Sequence, residues 1–139
     1  MRSKAIVGAR VLLGLVFLGF GVNYFLGLFP LPAMEGAAGQ FFEGMVASRY
    51  MLPLLFATYL VAGAALVIGR FVPLALVVLA PIIVNIVAIH VVTEPSVSGL
   101  VPGVFVLGLE VFLAWSYGAA FRPLLRARYE PQTLEAMRR

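Results

Sequence analysis

The fold is decided by residues 51–92, which read MLPLLFATYLVAGAALVIGRFVPLALVVLAPIIVNIVAIHVV. Arg70 is the only Asp, Glu, Lys or Arg residue in this stretch. An α-helix crosses the hydrocarbon core of a bilayer with about 20 apolar residues, because each residue adds ~1.5 Å to its length. The stretch therefore predicts two membrane spans, residues 51–69 and 71–92. Since only residues 69–71 join them, we expect an antiparallel hairpin.

Two further apolar stretches are long enough to span a membrane, residues 5–29 before the hairpin and residues 100–121 after it. Of the 139 residues, 63% are hydrophobic and 12% are charged. A soluble domain averages about 45–50% hydrophobic residues and about 25% charged residues. A soluble fold of this size cannot bury so much apolar surface. The composition excludes a soluble globule and a disordered chain. It predicts an all-α membrane protein, a single domain over residues 1–139 with four transmembrane helices in an antiparallel bundle.

Basic residues are distributed unevenly between the two ends of these spans. If the amino terminus is cytoplasmic, nine of them lie on the cytoplasmic side and only Arg49 lies on the other. The nine are Arg2, Lys4, Arg10, Arg70, Arg122, Arg126, Arg128, Arg138 and Arg139. This bias predicts that both termini are cytoplasmic. It also accounts for the net charge of +4, so we expect the basic tail, residues 122–139, to lie against anionic lipids of the bilayer and to bind no nucleic acid.

The loop between the first two spans, residues 30–50, has a helical pattern of its own. Its apolar residues recur with a period of 3.6, and more polar positions fall on the opposite face. The apolar positions are Met34, Ala37, Ala38, Phe41, Phe42 and Met45, and the opposite positions are Glu35, Gly39, Gln40 and Glu43. The segment is too short to span a membrane, so we expect an outer interfacial or re-entrant helix. It either covers the bundle as a lid or gates a cavity.

Polar side chains inside the predicted spans are the candidate ligand-binding residues, because a polar group in a membrane is costly. They are Asn23, Asn85, His90 and Glu110. At ~1.5 Å per residue, Asn23 and Asn85 lie about 9 and 10 Å inside the outer helix ends. By the same count Glu110 lies about 15 Å inside and His90 about 3 Å. If these groups face inward, they line one cavity that opens to the outside.

Glu110 is the only carboxyl group near the middle of a span, and no Lys or Arg lies at its depth. We therefore expect a protonated Glu110 that forms a hydrogen bond with Asn23, Asn85, Tyr59 or a free carbonyl group. Two interpretations remain open for this residue. It accepts a proton or orients a ligand, or it forms only a structural hydrogen bond between helices.

His90 lies near the predicted water interface, and Glu94 follows it in the sequence. A solvated imidazole or an imidazole paired with Glu94 is the more common outcome, and a quinone or proton partner is the alternative. The chain has one His and no Cys, so the sequence implies no metal site, no haem and no thiol chemistry. No catalytic residue is predicted.

Several strings of the sequence resemble the DoxX family of small bacterial membrane proteins. They are RVLLGLVF at residues 10–17, GVNYF at 21–25, GRFVPLAL at 69–76, APIIVNI at 80–86, and His90. The resemblance covers most of residues 10–122 and implies a four-helix protein of the bacterial inner membrane. Members of this family are linked to redox processes, for example as small subunits of a thiosulfate:quinone oxidoreductase. Where relatives often carry a glutamate on the second helix this chain has Tyr59, so a role for that carboxylate would pass to Glu110.

Three functions follow from these observations. The first is a non-catalytic accessory subunit that packs against other membrane-protein subunits of a respiratory or redox complex. The second is a protein that binds a quinone or another lipophilic molecule between its helices through Asn85, His90 and Glu110. The third is a small proton-linked carrier, although the sequence has no inverted repeat. We favour the first because the sequence contains no metal-ligand set, no nucleophile–base pair and no nucleotide-binding loop. It implies no cofactor, with quinone as the one possibility.

Overall fold

A computed structural model describes residues 2–31, 33–93, 95 and 97–127 of the chain. These residues form helices and connecting turns, with no strand among them. The elements are α1 (Arg2–Leu26), α2 (Gly36–Ala47), α3 (Met51–Ile68), α4 (Val72–Ala88), a π-helical turn (Ile89–Thr93), α5 (Val97–Ser116), α6 (Gly118–Phe121) and a 3-10 turn (Arg122–Leu125). Helices α1, α3, α5 and α4 with its π-helical turn are each long and apolar enough to cross a membrane. The predicted all-α class with four membrane-length helices is confirmed.

The bounds of α1 and α5 differ from the prediction. The first helix ends at Leu26 instead of residue 29, because Gly27 leaves the helix with φ +62°. The last long helix begins at Val97 and ends at Ser116, where a continuous span over residues 100–121 was expected. The Ser116 hydroxyl donates to the carbonyl oxygen of Phe112 (2.8 Å), a bond that often bends a helix, and Tyr117 forms the turn before α6. Of the predicted basic tail, residues 128–139 lie outside the described part of the chain.

The connection between α3 and α4 is as short as the sequence predicts. Gly69 ends α3 in the left-handed conformation (φ +83°), where a glycine pays no Cβ penalty. The N–H groups of Gly69 and Arg70 both donate to the carbonyl oxygen of Ala65, at 2.9 and 3.1 Å. Residues 69–71 alone therefore join α3 to α4.

Helices α1 and α3 pack closely at two glycines that face each other. A Cβ atom on Gly14 would lie 2.8 Å from the carbonyl oxygen of Gly63, and a Cβ atom on Gly63 would lie 2.8 Å from that of Gly14. Real Cβ contacts are not this short, so only glycine permits this approach of the two backbones. Small residues serve the same purpose in other membrane helix pairs.

The remaining contacts complete the core between the four long helices. Helix α1 also contacts α5, and α4 contacts both α3 and α5. The side chains that are fully buried between these helices are Leu13, Leu66, Leu76, Leu79, Ile83 and Leu113. We call the end of the structure that carries Arg70 and Arg122 the basic end, and the opposite end the α2 end.

A helix is present in the loop after α1, as the sequence predicts. It packs against α3 and the π-helical turn, with Ala38 fully buried and Phe42 and Met45 against the core. Two other residues of the predicted apolar face, Ala37 and Phe41, are exposed. The apolar side of α2 is thus divided between the protein core and the exterior.

Candidate functional site

Asn23 is buried in the last turn of α1, with 2% of its surface exposed. Its Nδ2 donates to the carbonyl oxygen of Phe29 (2.9 Å), and its Oδ1 accepts from the N–H of the same residue (2.7 Å). The chain can turn back toward the side chain because Gly27 adopts a positive φ directly after the helix. Both polar atoms of Asn23 therefore stabilise the first turn of the loop, and the side chain faces its own backbone.

His90 lies in the π-helical turn after α4, at the α2 end. Its Nδ1 lies 2.8 Å from the carbonyl oxygen of Ile86. Because a carbonyl oxygen only accepts, this bond requires a proton on Nδ1, and Nε2 is the acceptor of the neutral ring. The ring packs on Gly99 of α5, where any Cβ atom would collide with it. Glu94 lies outside the described residues, so its pairing with His90 stays a prediction.

Asn85 is exposed on the outer surface of α4. It follows Leu74, Val78 and Pro81 at spacings of three and four residues, which places all four on one side of the helix, and all four are exposed. No hydrogen bond joins the Asn85 carboxamide to any other described residue. The sequence placed Asn85 in a common cavity only if its side chain faces inward, and in the described structure the side chain is on the exposed side of α4.

Glu110 faces the interior from α5, with 5% of its surface exposed. It shares the buried side of that helix with Gly103 and Leu113. Its Oε2 is buried and has no hydrogen-bond partner among the described residues. The inward position agrees with the sequence, but the described hydrogen bonds include none from Glu110 to Asn23, Asn85 or Tyr59.

The surroundings of those three expected partners differ from the prediction. The Asn23 carboxamide is held by the Phe29 backbone, and Asn85 is on the outer surface of α4. Tyr59 is buried in an aromatic cluster, with ring centroids 4.8 Å from Phe17 and 5.2 Å from Phe56. The four candidate residues therefore have different surroundings. Asn23 stabilises the loop after α1, and His90 is bonded to its own helix. Asn85 faces outward, and Glu110 faces the core. These four residues do not line one common cavity.

The described residues form a groove that was not predicted from the sequence. It lies between α3 and α4, has a volume of ≈ 440 Å³ and is lined almost entirely by apolar atoms. Its lining includes Ala57, Thr58, Ala65, Leu74 and Val78. The Thr58 hydroxyl donates to the carbonyl oxygen of Leu54 (2.8 Å), so this threonine presents no free donor to the groove. The alanines on α3 were the available signal, because they leave space beside the larger α4 side chains.

Arg10 is partly buried, although arginine side chains are mostly exposed. Its guanidinium group packs against Gly69 at the end of α3, and its Nε is buried without a hydrogen-bond partner among the described residues. A cation at a helix C-terminus is favoured by the partial negative charge of the last carbonyl groups. This contact stabilises the turn between α3 and α4 at the basic end.

The described residues contain no cluster of three or more His, Asp or Glu side chains that could hold a metal ion. A comparison of the chain with protein-family models, curated proteins and solved structures finds no match.

Proposed function

We propose that this chain is a non-catalytic accessory subunit of a larger membrane assembly. In this proposal it is a transmembrane bundle of four antiparallel helices, with α2 at the outer interface and both termini in the cytoplasm. Its role is carried out by the outer helix surfaces, which contact other membrane-protein subunits. The observation that carries the proposal is the outward position of Asn85, which has no hydrogen-bond partner among the described residues.

The free-energy cost of an unpaired amide in a membrane is the reason why Asn85 indicates a partner protein. Transfer of an amide to an apolar environment without a hydrogen bond costs roughly 1–3 kcal/mol by protein mutational data, and more on alkane scales. Asn85 lies eight residues before the end of the π-helical turn, about 12 Å along the helix. At that depth no water and no lipid head group satisfies the carboxamide. A neighbouring protein can do so, because hydrogen bonds between membrane helices contribute about 0.6–2 kcal/mol.

The dispersal of the other polar residues also supports a packing role. A ligand site needs several polar groups that converge on one cavity. Here Asn23 is bonded to Phe29, and His90 is bonded to Ile86. Glu110 is the only candidate that is both buried and without a partner for one oxygen among the described residues. One isolated carboxyl oxygen is a weak basis for a catalytic or ligand site.

The type of assembly is proposed from the DoxX-like strings alone. If the chain is a DoxX-type protein, the assembly is a respiratory or redox complex of the bacterial inner membrane. The comparisons with known proteins add no support for this part of the proposal.

A lipophilic ligand, such as a quinone, is the second candidate, and the groove between α3 and α4 favours it. An apolar groove of ≈ 440 Å³ that opens toward lipid can hold a prenyl or acyl chain. The ligand would lie against Ala57, Ala65 and Leu74. The only polar side chain in the groove lining is Thr58, whose hydroxyl already donates to Leu54 and can therefore only accept from the polar head. This candidate therefore involves the groove residues and not the combination of Asn85, His90 and Glu110.

Purification from native membranes in a mild detergent, followed by mass spectrometry of proteins and lipids, separates the two candidates. We expect other membrane subunits to be recovered in fixed ratio, and the Asn85→Leu variant to lose at least half of them. Phe105→Leu is the matched control, because Phe105 is exposed on α5. It lies at a depth similar to that of Asn85, since Gly103, two residues earlier, packs beside Val87 of α4. Equal recovery from both variants would overturn the proposal, and bound quinone without protein partners would support the second candidate.

A further inference from the structure

The exposed side of α4 is a continuous surface with a single polar side chain. We call it the α4 face and define it by residues Leu74, Val77, Val78, Pro81, Val84 and Asn85, all of which are exposed. It carries no ionisable group, so a partner does not need a charge to match it. What a partner must supply is one hydrogen-bond donor and one acceptor at the depth of Asn85.

A second copy of this chain meets that requirement by symmetry. Two copies in the same membrane have the same orientation, so a two-fold axis along the membrane normal places identical residues at the same depth. The carboxamide is self-complementary because it carries both a donor and an acceptor. Near such an axis, the Nδ2 of each Asn85 donates to the Oδ1 of the other. A carboxylate or an ammonium group in this position could not pair with itself in this way.

The backbone and the groove beside Asn85 favour the same contact. Pro81 has no N–H, so the carbonyl oxygen of Val77 lacks its usual donor in the helix and is an additional acceptor close to the α4 face. Leu74 and Val78 belong both to the α4 face and to the lining of the α3–α4 groove. Side chains of an adjacent α4 helix can therefore enter the groove, where Ala57 and Ala65 leave space. Close helix packing in membranes depends on small residues of this kind.

We propose that the α4 face is a two-fold interface between two copies of this chain, with a reciprocal hydrogen bond between the two Asn85 side chains. The inference rests on the proposed function in one respect, because it identifies the subunit that covers Asn85. Other subunits then contact the assembled dimer, so a variant that loses the dimer, such as Asn85→Leu, also loses them.

The absence of cysteine from the sequence provides a direct test. A single Asn85→Cys substitution in the full chain, oxidised in native membranes, forms a disulfide only if the two Cα atoms approach to about 4.4–6.8 Å. We expect a covalent dimer of twice the chain mass. Phe105→Cys, at matched depth on the exposed side of α5, is the control and should stay monomeric.

A second measurement does not require the cysteine variants. Single-molecule photobleaching of labelled chains in liposomes reports the dimer fraction as a function of density. Asn85→Leu should weaken dimerisation about 3- to 30-fold, which is the loss expected for 0.6–2 kcal/mol of interhelical hydrogen bonding. Asn85→Gln keeps the self-complementary amide and should retain most of the dimer.

Three results would contradict the two-fold interface. They are a monomer for Asn85→Cys, equal cross-linking of Asn85→Cys and Phe105→Cys, and dimerisation that is unchanged in Asn85→Leu. The accessory function is tested separately by the co-purified subunits. A cross-link from residue 85 to a different protein would refute the second copy and leave the accessory function standing. A dimer recovered without other subunits would support the second copy and refute the accessory function.

Discussion

The side chain of Asn23 and the backbone of Phe29 form two reciprocal hydrogen bonds across the end of α1, at 2.9 and 2.7 Å. An asparagine inside an apolar helix is commonly interpreted as a site residue. Here its two polar atoms replace the partners that the backbone of Phe29 loses when the chain leaves the helix at Gly27. The same residue type therefore has opposite meanings at Asn23 and at Asn85, which has no hydrogen bond to another described residue.

Asn23→Leu should destabilise the protein, because the N–H and the carbonyl oxygen of Phe29 both lose their partner. We expect the free energy of unfolding to fall by about 1–3 kcal/mol. Equilibrium unfolding in mixed micelles, followed by circular dichroism, measures this change. Val22→Leu is the control, since Val22 is the exposed neighbour of Asn23. Equal stability of the two variants would show that the loop does not depend on these bonds.

Gly14→Ala should loosen the contact between α1 and α3. The new methyl group would lie 2.8 Å from the carbonyl oxygen of Gly63, so the helices must move apart at a cost of about 1–3 kcal/mol. Gly19→Ala provides the control on the same helix, because nothing lies within 4 Å of a Cβ atom at that position. That variant should be neutral or up to about 1 kcal/mol more stable, as alanine favours helix. The same unfolding measurement would contradict the prediction if both alanines had the same effect.

Glu110 should be uncharged at neutral pH, because an ionised carboxylate at the middle of a membrane helix costs at least ~2.5 kcal/mol. Infrared spectroscopy should show a protonated-carboxyl band that disappears in Glu110→Gln. Since Oε2 has no partner among the described residues, Glu110→Leu should leave the free energy of unfolding within about 1 kcal/mol of the wild type, or raise it. A loss of stability in the Leu variant but not in the Gln variant would reveal a hydrogen-bond partner of Glu110.

The topology proposed from the basic residues can be tested on the cysteine-free chain. Cysteine at Gln40, exposed on α2, should react with an impermeant thiol reagent added outside intact cells. Cysteine at Ala127, after the 3-10 turn, should react only after the membrane is permeabilised. The reverse pattern would invert the orientation and with it the assignment of α2 to the outer face.

Much of the helical framework could be predicted from the sequence. Membrane-length helices are evident from runs of apolar residues, and the turn at Gly69 from the single break between two such runs. The end of α5 was missed, because the interruption at Tyr117 occurs within residues that are all compatible with a helix. The distribution of α2 residues between core and exterior was also missed, since Phe41 and Phe42 are equally apolar and only their neighbours distinguish them.

The amino-acid sequence by itself determined that the chain is helical, how many membrane-length helices it has and where the polar residues lie along them. These properties depend on composition and on distance along one helix. Only the tertiary structure decided which way each polar side chain points. In a soluble protein the polar side of a helix faces water and so identifies the opposite side as the inward one. A membrane helix is apolar around its whole circumference and lacks this signal. The residues around Asn85 and Glu110 are apolar on every side of their helices, and helix packing alone places Asn85 outside and Glu110 in the core.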